Sequence, residues 1–285
     1  MKKALVTVLL GDMHKRVWND FLKTNWEAWA EQYGYEILVF DERHAFETES
    51  IYLTKYEAMA SQRARAFDFV CWLDADIFIN LLDAPDIQEH CAPDRLAICL
   101  EGHIPDSPLF RKARNKVAGI VARNGIEYGN YNALHRAIDP ASTATHMFNT
   151  GVFCFYPEQL ADWVAAFPRL FGDYAGGAFF DQVPFTHYCE ADGKGQLLDE
   201  RFNALWLVFR FLQNQQSDSV CKKYPFVSGH LPNLINAVNN SWFLHFAGRQ
   251  DDIKYLPALT RTGNRYGFHK RFFKALEQEV KKLTE

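Results

Sequence analysis

Short apolar runs that alternate with amphipathic segments constrain the fold of this chain more than any other feature. The runs occupy residues 4–10, 35–40, 69–73 and 96–100, and each has the length of a strand that is buried on both faces. The first run is followed over residues 18–33 by apolar residues at helical spacing. Because strands that alternate with helices form parallel sheets, the pattern predicts an α/β fold with a mostly parallel central sheet flanked by helices.

The alternation continues along the chain. The remaining predicted elements are a helix at residues 53–66, a helix at 110–124, a strand at 147–156 and a helix at 158–171. From residue 255 onward the strand signals cease, and aromatic and basic residues dominate. We therefore expect a main domain of residues 1–255 and a C-terminal helical extension of residues 256–285.

The composition and charge narrow the class of protein. Of 285 residues, 48% are hydrophobic and 23% are charged, which is typical of a globular protein with a buried core. A formal net charge of -4 argues against a surface built to attract nucleic acid, so no nucleic-acid partner is expected. The cysteines form no CxxC pair, and we interpret them as reduced and structural. No stretch has the pattern of a signal peptide or a membrane span, so we expect a cytoplasmic location.

Two aspartates directly follow the apolar run FVCWL. Asp74 and Asp76 are two residues apart, so in an extended segment their side chains point to the same side, about 7 Å apart along the chain. Carboxylates at the carboxyl end of a strand suit a magnesium or manganese ion that also binds phosphate oxygens. The alternative is a solvated turn at the end of a strand, where aspartate is common.

The surroundings of this pair resemble a known family. The segment FDFVCWLDADIFI resembles the D-x-D region of GT-A glycosyltransferases, in particular retaining enzymes of the glycogenin and lipopolysaccharide galactosyltransferase kind and the related plant xylosyl and yeast galactosyl/mannosyl transferases. Matching pieces follow in the same order, namely FNTGVFCF, FFDQ, LLDERFNALW and HFAG, with Lys55 upstream of the pair. The ordered set is more specific than any single member.

The resemblance implies a Rossmann-like GT-A fold and a metal-dependent sugar transfer. The donor would be a nucleoside diphosphate sugar, a UDP-sugar in the first instance, and the acceptor a glycan or glycolipid hydroxyl. The N-terminal part of the main domain would bind the donor, and the C-terminal part would face the acceptor. The resemblance also implies that the sugar keeps its anomeric configuration.

The resemblance also assigns the histidine of HFAG to the metal site. The resemblance implies that His245 is the third protein ligand beside Asp74 and Asp76. An imidazole together with carboxylates favours Mn²⁺ somewhat over Mg²⁺. The alternative is a histidine that is satisfied inside the core between Phe243 and Phe246.

Residues near the first strand and the following helix are expected to bind the nucleotide. The resemblance places the nucleobase and ribose against Leu9, Leu10 and Asp12, although strand packing and a turn also explain these residues. It places the phosphates or ribose near Lys55 and Arg63. A solvated helix face is the alternative for these two cations.

The diphosphate has its own expected contacts. Asp74 and the intervening Ala75 belong to the donor site, and Gly248 would let the backbone approach the diphosphate. A cation after Gly248 would pair with its oxygens, and either Arg249 or Lys254 could do so, since Lys254 comes later than the lysine of the family usually does.

Two further motifs are expected to contact the transferred sugar. The resemblance implies that Asn149 binds sugar hydroxyls and that Gly151 makes room for the sugar, against the alternative of an ordinary bend. It places Asp181 and Gln182 at the anomeric centre, as a weak nucleophile or as a dipole that stabilises positive charge. A helix N-cap is the alternative for Asp181.

Two other functions use the same features. In a haloacid-dehalogenase-type phosphatase, Asp74 would attack phosphorus and Asp76 would act as acid and base. That motif normally follows the first strand, whereas here the pair follows the third, and no clear G-D-x-x-x-D segment occurs downstream. A noncatalytic sugar-binding module with a vestigial metal site is the other alternative.

The C-terminal extension generates a testable prediction. Residues 266–283 mix basic and aromatic residues at roughly helical spacing, so this segment could make peripheral contact with an anionic membrane that carries a lipid-linked acceptor. The alternative is a helix whose apolar face packs on the main domain. Liposome flotation of the full chain should exceed that of a version ending near Arg265 if the membrane contact exists. Equal flotation would exclude it.

Overall fold

A computed structural model describes residues 1–101, 104, 111–123, 127–172, 179–210 and 231–256. Six strands form its central sheet, in the order β2-β1-β3-β6-β5-β7. Their bounds are β1 (Lys3–Val8), β2 (Tyr35–Phe40), β3 (Phe69–Leu73), β5 (Leu96–Leu100), β6 (Phe148–Phe155) and β7 (Gly195–Leu197). The predicted α/β class is therefore confirmed.

One strand of this sheet runs against the others. β1 pairs parallel with β2 and β3, and β5 pairs parallel with β7, whereas β6 is antiparallel to both β3 and β5. The start of β6 consequently lies at the same edge as the carboxyl ends of its two neighbours, where ligands gather in such sheets. The reversed strand thus brings the Asn149 region to the end of β3.

A second, small sheet lies at this edge. It consists of β4 (Ile77–Ile79), β8 (Ala204–Leu205) and β9 (Phe243–His245), in the order β4-β9-β8. β4 is antiparallel to β9, with Ile77 opposite His245, and β8 is parallel to β9. This pairing joins the segment after β3 to a strand from the far end of the described chain.

Helices cover both faces of the central sheet. They are α1 (Asp12–Val17), α2 (Lys23–Tyr33), α3 (Thr54–Ala60), α4 (Gln62–Arg65), α5 (Arg111–Ala122), α6 (Asn132–Ile138), α7 (Pro157–Phe171), α8 (Gln182–Ala191), α9 (Trp206–Arg210) and α10 (Leu231–Asn239). A π-helical segment, Trp18–Leu22, joins α1 to α2, and 3-10 turns lie at Arg43–Ala45, Ile87–His90, Glu200–Asn203 and Gln250–Tyr255.

Alternate residues of the central strands enter two separate cores. In β3, Cys71 packs in the core on the side of α2, whereas Val70 and Trp72 pack in the core on the side of α3 and α7. All five residues of β3 are buried. The strand is therefore buried on both faces, as its continuous apolar run predicts.

Several predicted boundaries are exact, and one predicted helix is wrong. β2, β3 and β5 have the predicted bounds, and β1 ends at Val8, two residues earlier than predicted. The single helix predicted at 53–66 is instead two helices. Ser61 between them has an extended backbone (ψ 159), and its hydroxyl accepts a hydrogen bond from Ala64 N, which caps α4.

Two expectations concern a membrane. The C-terminal extension beyond Leu256, with its proposed membrane contact, lies outside the described residues. Among the helices that the structure describes, none has both the length and the apolar character needed to cross a membrane.

The described cysteines are free, and burial raises the pKa of the Cys71, Cys99, Cys154 and Cys189 thiols, in keeping with a reduced, structural role.

Candidate metal centre

Asp74, Asp76 and His245 meet at the carboxyl end of β3. Asp74 follows β3 directly, and its backbone N–H donates to the Gly151 carbonyl on β6 at 2.9 Å. Asp76 precedes β4, and the pairing of β4 with β9 sets Ile77 opposite His245. The Phe246 N–H donates to the Asp76 carbonyl at 3.1 Å and fixes this register further.

The three side chains point at one another. His245 Nε2 lies 3.5 Å from Asp74 Oδ2 and 3.2 Å from Asp76 Oδ1. One ligand atom from each residue lies within 4.8 Å of the others. Asp76 and His245 are buried, whereas the Asp74 side chain is 31% exposed, so the cluster opens to solvent on the Asp74 side. Two carboxylate oxygens and one imidazole nitrogen form a donor set that fits manganese or magnesium.

Each carboxylate accepts a hydrogen bond through the oxygen that does not face His245. Trp72 Nε1 donates to Asp74 Oδ1 at 2.8 Å, from a residue on the same face of the strand. Gln250 Nε2 donates to Asp76 Oδ2 at 2.7 Å. In both cases the other oxygen is the one that faces His245. Such outer contacts orient ligand atoms before an ion binds.

The electrostatics of the cluster favour the charged forms. Burial opposes a charged His245 ring, but the charges and hydrogen bond of Asp76 and the charge of Asp74 outweigh this effect and raise the pKa of His245 above its usual value. Burial also opposes charge on Asp76, yet His245 and the Gln250 hydrogen bond hold the pKa of Asp76 below its usual value. A positive ring thus stands where a cation would sit.

A buried cation lies behind the aspartates. Lys55 Nζ is 3.3 Å from Asp181 Oδ2, 3.9 Å from Asp74 Oδ1 and 3.0 Å from Thr150 Oγ1. Burial disfavours the ammonium, but Asp181 and Asp74 raise the pKa of Lys55, so its charge is kept. Lys55 therefore offsets part of the negative charge of the centre. Its predicted contact with the nucleotide stays a prediction.

Asp181 pairs with Lys55, and its neighbour Gln182 contacts Glu101. Within the described residues, the Asp181 side chain makes no capping bond to α8. It accepts instead from the Tyr56 hydroxyl at 2.5 Å and pairs with Lys55. Gln182 is only partly buried, and its Nε2 donates to Glu101 Oε2 at 2.8 Å.

The backbone that leads into Asp181 and Gln182 is strained. Phe179 has φ 58 and Phe180 has φ 47, a region that bulky residues rarely adopt. Backbone strain of this kind concentrates at functional sites, where the surrounding structure enforces it. Phe180 is stacked on Tyr52, with ring centroids 4.0 Å apart, which helps to hold this conformation.

The start of β6 contributes Asn149 and Gly151. Asn149 Nδ2 donates to Glu101 Oε2 at 2.6 Å. A Cβ atom built on Gly151 would lie 2.3 Å from Cε1 and 2.6 Å from Nδ1 of His245. The absent side chain of Gly151 thus makes room for the imidazole of His245. Whether it also makes room for a sugar stays a prediction.

The expected nucleotide residues near β1 and α4 occupy different places. Leu9 is buried in the core, Leu10 is half-buried, and Asp12 is exposed in the first turn of α1. They lie at the carboxyl end of β1, at the edge that carries the metal cluster. Arg63 is exposed, and its guanidinium lies 4.5 Å from the centroid of the Phe40 ring, whose backbone carbonyl accepts from the Leu9 N–H. Its predicted contact with the nucleotide stays a prediction.

The segment after His245 carries the expected diphosphate contacts. Gly248 has φ 65 and is exposed, as are Arg249 and Lys254. Ala75, between the two aspartates, is half-buried. Among the described residues after His245, Gln250 makes a side-chain hydrogen bond to the candidate metal cluster, through Asp76.

Sequence reasoning missed four residues of this site. Glu101 could have been found because it directly follows a buried strand, as the aspartates do. Asn203 belongs to the quoted motif LLDERFNALW, although no role was assigned to it. Trp72 and Gln250 carry no local signal, since their roles depend on where their indole and amide N–H groups point.

Comparisons with known proteins agree with this geometry at the level of the fold. No protein-family model matches the sequence, and no curated protein matches it. A crystal structure of a glycosyltransferase involved in the glycosylation of the major capsid of PBCV-1 is similar, with a TM-score of 0.52 and 12% identity over 89% of this chain and 99% of that one. The chain therefore shares its fold with that structure.

A second similar structure supports the same conclusion. The WbbM bifunctional glycosyltransferase has a TM-score of 0.51 and 11% identity over 88% of this chain, which spans 49% of that longer protein. At such identities the likeness shows the fold alone. The narrower resemblance to glycogenin and its relatives stays a prediction.

The contact between Gly151 and His245 predicts a specific effect of a single methyl group. Gly151→Ala should displace the imidazole, weaken Mn²⁺ binding, and lower the free energy of unfolding by about 1–3 kcal/mol through overpacking. Gly119→Ala is the matched control, because a Cβ atom there meets no described atom within 4 Å. Calorimetric Mn²⁺ titration and urea unfolding measure the two effects. Unchanged Mn²⁺ affinity in Gly151→Ala would contradict this placement of His245.

The raised pKa of His245 predicts how the stability of the metal-free protein depends on pH. The contribution of His245 is fully present below its ordinary pKa of 6.5 and is lost as the pH rises through the higher folded-state value. The contribution of Asp76 is present above its ordinary pKa of 3.8 and is lost as the pH falls through the lower folded-state value. Urea unfolding with a chelator should therefore show stability falling above neutral pH.

The control for this pH dependence is His245→Gln. This variant should lose most of the decline above neutral pH, because glutamine does not titrate. An equal decline in both proteins would assign it to other groups.

Proposed function

We propose that the protein is a metal-dependent glycosyltransferase. It moves a sugar from a nucleoside diphosphate sugar, a UDP-sugar in the first instance, to a glycan or glycolipid hydroxyl with retention. The convergence of Asp74, Asp76 and His245 at the open edge of a glycosyltransferase fold carries this proposal. The UDP donor and retention rest on the motif resemblance.

The position of His245 favours this function over a phosphatase. A phosphatase that uses Asp74 as nucleophile has no need of an imidazole between its two carboxylates. Here His245 Nε2 faces both of them, and Trp72 holds one oxygen of Asp74. The arrangement leaves an oxygen of each aspartate and the ring nitrogen directed at one point, which is the requirement of a cation site.

The residues of the chain prepare this site for a diphosphate. Asp74, Asp76 and His245 would hold a divalent cation, which would supply positive charge to the leaving diphosphate. Lys55 keeps a second positive charge behind Asp74. Gly248, with φ 65, turns the exposed segment after His245, where Arg249 could pair with phosphate oxygens.

Gln182 is the better candidate for the group at the anomeric centre. The Asp181 carboxylate is buried and bonded to Tyr56 and Lys55, so we assign it to holding Lys55. The Gln182 amide nitrogen is bound to Glu101, which turns the amide carbonyl oxygen away from that carboxylate. A fixed carbonyl dipole can stabilise the positive charge that develops on the sugar during transfer.

The decisive measurement is UDP binding by calorimetry with and without Mn²⁺. Wild type should bind UDP tightly only with Mn²⁺, because an ion held by Asp74, Asp76 and His245 would supply the positive charge that the diphosphate needs. Asp76→Asn should abolish most transfer in a folded protein, and His245→Ala should weaken Mn²⁺ binding and slow transfer by about tenfold or more.

The control variant is His44→Ala, which removes an exposed histidine that pairs with Glu42 and is not part of the three-residue cluster. It should behave as wild type. Metal-independent UDP binding, or full metal-dependent binding in His245→Ala, would refute the three-ligand site. Hydrolysis of a generic phosphate ester without nucleotide would favour the phosphatase, and glycan affinity without donor turnover would favour the binding module.

A further inference from the structure

A chain of hydrogen bonds runs from Glu101 to His245. Glu101, at the end of β5, accepts through Oε2 from Asn149 Nδ2 at 2.6 Å. Asn203 Nδ2 donates to Asn149 Oδ1 at 2.7 Å, and Asn203 Oδ1 lies 2.9 Å from His245 Nδ1. Asn149, Asn203 and His245 are each less than 5% exposed, so water does not replace these contacts.

The direction of the Asn149 amide is fixed from both sides. The backbone N–H of Gly151 donates to Asn149 Oδ1 at 2.9 Å, and a backbone N–H can only donate. The side-chain atom that faces Gly151 must therefore be the oxygen. The nitrogen then faces the Glu101 carboxylate, which is an acceptor, so both ends of the amide agree.

The orientation of the Asn203 amide follows from its contacts in the same way. The atom that faces Asn149 lies 2.7 Å from its Oδ1 and 3.4 Å from its backbone carbonyl oxygen. Both are acceptors, so this atom must be the Asn203 nitrogen. The Asn203 oxygen consequently faces His245 Nδ1. Because a carbonyl oxygen only accepts, Nδ1 must carry a hydrogen.

The Asn203 oxygen holds a hydrogen on Nδ1 both in the charged ring of the metal-free protein and in the neutral ring that can bind a metal. With its hydrogen on Nδ1, the lone pair is on Nε2, the nitrogen that faces Asp74 and Asp76. A histidine binds a metal through the nitrogen that lacks a hydrogen, and the partner of the other nitrogen decides which one this is. The opposite form would direct an N–H at the ion.

We propose that Asn203 is a positioning residue that holds His245 in its Nδ1–H form and so sets the affinity of the centre for a divalent cation. The Gly151 N–H and the Glu101 carboxylate fix the orientation of the Asn149 amide, and the Asn149 amide fixes the orientation of the Asn203 amide. The part of this proposal that concerns the cation rests on the proposed function, whereas the part that concerns the tautomer does not.

The tautomer is tested by ¹⁵N NMR of the His245 ring in metal-free protein, at a pH where the ring is neutral. Wild type should show the Nδ1–H form. In Asn203→Leu the Nδ1 acceptor is lost, and a large share of the Nε2–H form should appear. The matched control is Asn80→Leu, since Asn80 is equally buried but donates to the Val238 and Ser241 carbonyls. Its loss should leave the His245 form unchanged.

The cation is tested by Mn²⁺ titration of the same proteins. Asn203→Leu should bind Mn²⁺ about 10- to 100-fold more weakly than wild type. Asn203→Asp keeps an oxygen acceptor for Nδ1–H while it removes the donor to Asn149, so it should retain the Nδ1–H form and bind Mn²⁺ within a few-fold of wild type. A purely structural role would weaken binding in Asn203→Asp and Asn80→Leu as well.

The possible results separate the two proposals. The role of Asn203 is overturned if the wild-type His245 ring has the Nε2–H form. It is also overturned if Asn203→Leu leaves both the tautomer of the ring and the Mn²⁺ affinity unchanged. If wild type has the Nδ1–H ring, Asn203→Leu loses it, and neither protein binds Mn²⁺, the positioning role stands and the proposed metal-dependent transfer fails.

Discussion

The compensation of negative charge at the end of β3 is the interaction on which the rest of the structure depends. Asp74 and Asp76 lie close together beside a buried strand, and one of them is itself buried. Two such carboxylates are stable together only if positive charge lies near them. His245 supplies it on one side and Lys55 on the other. Asp181 in turn pairs with Lys55, which ties α3 to the start of α8.

The reversed strand β6 makes this arrangement geometrically possible. Because β6 runs against β3 and β5, its first residues lie where those strands end. Gly151 gives the His245 ring its space, and Asn149 connects that ring, through Asn203, to Glu101 at the end of β5. One edge of the sheet therefore holds both the candidate metal ligands and the groups that contact them.

The small sheet brings His245 to the two aspartates by means of very short strands. β4 and β9 have three residues each, and β8 has two, so none of them is stable alone. They are held by the cores around them, where Phe243 and Leu244 are fully buried. The precision of the His245 position thus comes from hydrophobic packing and from strand register together.

The sequence by itself determined the α/β class, the bounds of β2, β3 and β5, and the aspartate pair, because strands buried on both faces give continuous apolar runs. It also indicated His245, through the resemblance of HFAG. Only the tertiary structure decided the reversed direction of β6, the pairing of β4 with β9, and the contacts of Glu101 and Asn203. Local periodicity reports which faces of a segment are buried. It carries no information on strand direction or on the distant partner that a short strand or a buried amide will meet, since these depend on packing between segments far apart in the chain.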